Sequence, residues 1–272
     1  MADTLKPSSG RSRQTRKTAP KKSAGKPAGV EPRLTQAAEN YLLSIYMVRE
    51  QGLSVTHSNL VDQLRRTPDS EGLGTSAPSI AGMLRRMERE GLIVHSNAHG
   101  SNREIELTVE GTRLAEQMVR RHRLAERMVV DMLGLDLAKA HVEAHRLEHA
   151  ISDELEERIR ATLNNPMTCP FGHPIPGSGY TPCPSSSTID EAPVGRPLRI
   201  DRIPEEDPEL LEYLVSNGLV PGVEVEILEY APYRGVITLK TADSSPVLGA
   251  DVVSRIWVCP LDCGTDCAAR LL

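Results

Sequence analysis

HVEAHRLEHA, residues 141–150, decides how this chain is read. His141, His145 and His149 recur at i, i+4 and i+8, which on a helix makes one stripe, with Glu148 beside its last member. Upstream, RHRLAE (residues 121–126) repeats the i, i+4 spacing in His122 and Glu126. Histidines with carboxylates at helical spacing are metal-ligand chemistry; a lone histidine would belong to an ordinary polar helix face. A helix rises ~1.5 Å per residue, so His141 and His149 lie ~12 Å apart along its axis. Ligand bonds to a divalent metal are only about 2.0–2.2 Å, so one ion cannot serve both ends. The stripe is expected to split, with His145, Glu148 and His149 converging at one site and His141 joining His122 and Glu126 at another. Nitrogen and carboxylate ligands without thiolate suit Mn(II), Fe(II), Co(II) or Zn(II).

Outward from the stripe the chain divides into segments. The 272 residues allow two or three domains, and the formal charge of −5 is unevenly spread. Residues 1–33 are rich in Lys, Arg, Pro, Ser and Gly and poor in acids, which predicts a disordered basic tail with affinity for nucleic-acid phosphates. No apolar run suggests export or a membrane span, and the expected location is the cytoplasm.

Residues 34–108 read as helix, helix, helix and hairpin, the order of a winged helix-turn-helix DNA-binding domain. TQAAENYLLSIYMVRE (35–50) starts at a Thr N-cap, a shorter helix covers 56–66, and TPDSEGLGTSA is a loop. APSIAGMLRRMEREGLI places Pro78 in a first turn and stops at Gly91, before two strand-like runs around a polar tip. Ser76, Pro78 and Ser79 at the start of the third helix, Arg85 and Arg89 along it and Arg103 on the wing are the expected DNA contacts.

Residues 109–164 read as a helical metal-binding and dimerisation domain: one helix over 109–132, a break at Gly134, the stripe-bearing helix from Leu137, and a short helix capped by Ser152. Residues 165–192, dense in Pro, Gly and Ser, read as a tether. In 193–258, PLRIDRI, VEVEILE, GVITLK and SRIWV are four β-type runs with a helix after the first, a small β-barrel. Residues 259–272 hold Cys259, Cys263 and Cys267 in C-x3-C-x3-C spacing. A zinc site would need a fourth ligand, so this reads as a frayed tail of reduced thiols.

Taken together, the winged helix, GTRLAEQMVRRHRLAERMVVDMLGLD, EAHRLEHAISDELEERI, CPFGHPIPG and the barrel resemble the diphtheria toxin repressor family over roughly residues 35–258. The fold class is then α + β multidomain: a winged helix-turn-helix, an all-α dimerisation and metal-binding domain, and an SH3-like, FeoA-type barrel. The resemblance implies a dimeric, metal-activated repressor of iron or manganese homeostasis genes that binds a double-stranded DNA operator and two metal ions per subunit. It further implies an ancillary site of His122, Glu126 and His141, and a primary site of His145, Glu148 and His149 with Asn40 from the first helix. Asn40 stands where iron-type members have Met and manganese-type members Asp, and His145 stands where they have Cys or Glu. This hard, thiolate-free set favours Mn(II) over Fe(II). A barrel ligand is expected among Glu206, Asp207 and Glu209, with Asp207 nearest by ungapped counting, and the barrel itself is expected to make an intramolecular or protein contact. Gly82 replaces a base-reading Gln of iron-type members. An oxidase of the di-metal bundle type would need paired E-x-x-H motifs, which the chain lacks, so no enzyme is expected.

Overall fold

Short polar side chains start the helices of this chain, and each is used as a cap. In the computed structural model, which describes residues 1, 34–66, 76–96, 103–261 and 263, Thr35, Ser76, Thr108, Asp136, Ser152 and Asp207 each accept a hydrogen bond from a first-turn backbone N–H. The basic segment 2–33, the loop 67–75, the hairpin tip 97–102 and Cys267 lie outside the described residues.

The first unit follows the expected order: α1 (Gln36–Glu50), α2 (His57–Arg66), α3 (Ala77–Arg89), then the antiparallel pair β1 (Ile93–His95) and β2 (Ile105–Leu107). Its core joins Leu42 and Ile45 of α1, Leu60 and Leu64 of α2, Ile80, Leu84 and Met87 of α3, and Ile93 and Ile105 of the hairpin. The apolar residues of α3 therefore face inward, which leaves its polar side outward.

α4 (Val109–Arg127) ends earlier than the single helix expected over 109–132, because Met128–Met132 form a π turn. This wider turn falls where the chain passes between cores. Met128 packs with Leu124 and Ile151 of the helical unit, whereas Val129 and Val130 pack into the barrel. Then follow α5 (Leu137–Glu148), which carries the stripe, and α6 (Asp153–Thr162).

Residues 165–192 are not a loose tether. Cys169, Phe171 and Ile189 are buried in the barrel core, and Ser187–Thr188 form β3. Gly172 has φ +90°, and a Cβ there would lie 1.9 Å from the Asp201 carbonyl oxygen, so only glycine lets this turn lie against the barrel. The remaining elements are β4 (Pro197–Arg202), α7 (Pro208–Ser216), β5 (Glu224–Ala231), β6 (Val236–Lys240), β7 (Val247–Gly249), α8 (Ala250–Val253) and β8 (Trp257–Pro260). The sheet has six strands, two more than the four predicted, in the antiparallel order β3-β8-β4-β5-β6-β7. Register shifts at Ile200/Arg202 and Ile227/Glu229 curve it in the way β-bulges do. Among the described residues no helix is long and apolar enough to cross a membrane.

Candidate metal centre

α4 and α5 pack side by side, which sets their i, i+4 stripes face to face. His122 and Glu126 on α4 and His141, His145 and Glu148 on α5 are all buried, none more than 5% exposed. His122 Nδ1 lies 2.6 Å from Glu148 Oε2, and its Nε2 lies 2.8 Å from Glu126 Oε1. His141 Nδ1 is 3.0 Å from the same Glu126 oxygen, and His141 and His145 meet Nε2 to Nε2 at 3.1 Å. The two expected ligand groups are thus contiguous, joined through His122–Glu148 and His141–His145. The ends of the stripe do diverge: His149 Nδ1 turns to Glu39 Oε2 of α1, 2.7 Å away.

Electrostatics explain how so many ionisable groups are tolerated here. Burial disfavours charge on His122, but Glu126 and Glu148 on either side hold its imidazole well above the ordinary range. Burial likewise opposes charge on Glu126, yet His122 and His141 hold it well below the usual carboxylate range. His141 is pushed down to about 4, first by burial and then by His145, and so stays neutral. Glu148, although buried, is brought down to about 2 by His145 and His122. The imidazolium of His122 between two carboxylates, with neutral His141 beside it, offsets part of their negative charge.

The barrel contributes a carboxylate that sequence reading missed. Ligand atoms of His122, Glu126, His141 and Glu205 all lie within 4.8 Å of one another. Glu205 is raised to about 7, by burial and then by the charge of Glu126. Asp207, the expected barrel ligand, instead spends its carboxylate on the α7 N-cap, accepting from the Leu210 amide at 3.1 Å. Glu206 bonds Gln51 Nε2 at 2.7 Å and Arg255 Nη2 at 3.1 Å, while Glu209 is exposed. The signal for Glu205 was its place in the acidic run after β4, but ungapped counting stepped past it.

A divalent cation fits these residues. Asn40 Oδ1 and Glu126 Oε2 are buried and accept no hydrogen bond among the described residues, an expensive condition for lone pairs that a cation would relieve. Three imidazoles and three carboxylates form a hard to borderline donor set. Beside it, the fully buried Arg123 donates to both carboxylate oxygens of Glu50 on α1 and to the Pro174 carbonyl, fastening three segments together.

The predicted DNA-facing residues lie apart from this network. Ser76, Pro78, Ser79, Arg85, Arg89 and Arg103 are exposed. Arg86 is paired with Glu90 at 2.8 Å.

Comparison with known proteins follows the same partition. Residues 33–101 match the iron dependent repressor N-terminal DNA binding domain, 108–177 the iron dependent repressor metal binding and dimerisation domain, and 187–260 the FeoA domain. The iron-dependent repressor IdeR of Mycobacterium leprae is 34% identical over 238 residues, covering 83% of this chain and 97% of that protein. The chain belongs to the iron-dependent repressor family. The diphtheria toxin repressor of Corynebacterium glutamicum is 34% identical, with coverage of 83% and 96%. A solved manganese-dependent transcriptional repressor in complex with manganese is 31% identical, covers 82% of this chain and 100% of its own, and superimposes with a TM-score of 0.71. As a family member the chain is a metal-activated, DNA-binding transcriptional repressor acting as a homodimer on an operator, and not an enzyme.

Proposed function

We propose that this repressor responds to Mn(II) or Fe(II), with Mn(II) preferred, through two ions per chain, and controls metal-homeostasis genes in the cytoplasm. The observation that carries the reading is the buried convergence of His122, Glu126, His141 and Glu205 within 4.8 Å. These four would hold one ion. His145, Glu148 and His149, with Asn40 from α1, would hold the second. The absence of thiolate from both sets supports the harder metal. Bound ions would supply the positive charge that Glu126 and Glu148 now take in part from His122.

The chain's residues turn that charge into geometry. Glu39 on α1 joins the DNA-binding unit to His149 at the C-terminal end of α5. Glu205 ties the barrel to α4 and α5. If ions bind the DNA-competent arrangement more tightly, they raise its population; about 100-fold excess over Kd contributes about 2.7 kcal/mol. Ser76, Pro78 and Ser79 at the start of α3, with Arg85, Arg89 and Arg103, would then meet the operator, the arginines chiefly at phosphates.

A gel-shift titration of the full chain against operator DNA tests this, run in chelator and in graded Mn(II), Fe(II), Co(II) and Zn(II). The expected result is tight binding with Mn(II) at lower free concentration than with Fe(II), and loss in chelator. Equal binding in chelator and in metal would overturn the switch, and tighter response to Fe(II) would overturn the metal preference.

A further inference from the structure

The repressor chemistry uses histidine and carboxylate and leaves the chain's cysteines unexplained. Three of them meet in space. Cys183 precedes β3, Cys259 lies in β8, and Cys263 follows it. β3 and β8 pair antiparallel with Ser187 opposite Val258 and Thr188 opposite Trp257, so the chain before β3 runs alongside the chain after β8. A turn closes on each side, with the Ser186 amide bonded to the Cys183 carbonyl at 3.0 Å and the Cys263 amide to the Pro260 carbonyl at 3.3 Å. The three sulfurs lie within 4.8 Å of one another. Cys183 and Cys259 are buried, Cys263 packs against them, and the group stands separate from the barrel core.

Geometry favours a metal over a disulfide, since three sulfurs converge rather than two. Tetrahedral thiolates about 2.3 Å from a zinc ion lie roughly 3.8 Å apart, so small movements of these sulfurs enclose one. Cys267, which follows Cys263 in the sequence, lies outside the described residues. The fifth cysteine, Cys169, is engaged elsewhere, its Sγ 3.6 Å from Glu205 Oε2. An all-sulfur set is soft and selects Zn(II) over Mn(II), the opposite of the α4–α5 cluster.

We propose that Cys183, Cys259 and Cys263 hold a structural zinc ion that fastens the segment before β3 to the end of β8, with the fourth position open to a donor from solvent or from elsewhere in the chain. Binding releases the thiol protons and leaves the sulfurs as thiolates. This site does not depend on the reading of the histidine cluster.

The test uses the full chain, purified under reducing conditions, in wild-type form and with Glu126→Gln, His141→Ala and His145→Ala together to disable both histidine–carboxylate sites. About one zinc per chain is expected in both after dialysis against a mild chelator, measured by elemental mass spectrometry. Replacing zinc with Co(II) should give intense tetrahedral visible bands and a sulfur-to-cobalt charge-transfer band. Cys183→Ser and Cys259→Ser should each reduce retained zinc at least tenfold. Undiminished zinc in Cys183→Ser, no sulfur–cobalt band in the wild type, or an intact mass two hydrogens short with Cys183, Cys259 or Cys263 in a disulfide would each overturn the proposal. The cobalt spectrum of the wild-type chain decides the matter even if a serine variant fails to fold.

Discussion

The cluster between α4 and α5 and the outer face of α3 both carry charged side chains at helical spacing, but they obey different rules. In the cluster every group is buried, and each must answer to a neighbour: His122 to two carboxylates, Glu126 to two histidines, Glu205 to Glu126. On α3, Arg85 and Arg89 stand exposed, Arg89 donating, among the described residues, only to the Arg85 carbonyl at 3.3 Å. Burial makes the candidate metal centre over-determined by its own chain. The exposed face, on our proposal, is completed only by DNA.

If that contrast is right, the largest cost should come from breaking a buried pair. Arg123→Met leaves the half of Glu50 that faces the interior without its guanidinium, and about 3–5 kcal/mol of stability should be lost in urea unfolding. The double variant Arg123→Met with Glu50→Leu should recover much of it; a double as unstable as the single would show that packing, not the pair, matters.

Next in size, Glu126→Gln with His141→Ala should remove metal-dependent operator binding. The wild-type gain on adding metal, about 100-fold for about 2.7 kcal/mol, should shrink to near unity in fluorescence anisotropy. Retention of the full gain would detach the cluster from the switch.

On the exposed side the effects should be smaller and even across sequences. Arg85→Ala and Arg89→Ala should each lower the slope of log K against log salt by about 1, with little change in operator preference. A variant that instead relaxed preference at one base pair would make that arginine a base reader. The smallest effect belongs to Gly82, where an added Cβ would meet nothing within 4 Å. Gly82→Ala should stabilise α3 by about 0.5–1 kcal/mol and leave operator affinity unchanged. A loss of affinity would mean that DNA backbone comes close to this glycine.

The same contrast governs what could be read from the sequence. His122, Glu126, His141, His145, Glu148 and His149 announced themselves because helical spacing and ligand chemistry are both local. Helix starts were equally legible, since Thr35, Ser76 and Ser152 bond amides three residues away. Arg123 looked like one arginine among many on α4; its partner Glu50 is 73 residues distant. Glu205, β3 and the meeting of Cys183 with Cys259 were hidden likewise, because a Pro- and Gly-rich stretch gives no periodicity from which its docking could be inferred. The π turn after Arg127 escaped notice because its residues keep the helical apolar pattern.

α1 gives these findings a practical edge. Glu39 near its start reaches His149, Glu50 at its end reaches Arg123, and the next residue, Gln51, reaches Glu206 of the barrel. Between them Leu43 and Met47 pack on Val119 of α4. Three family domains follow one another along the chain, which suggests modules that could be exchanged, yet this helix belongs to all three at once. A chimaera that borrows its DNA-reading unit from a relative must therefore keep α1 as native sequence, or import matched partners for Arg123, His149 and Glu206 with it.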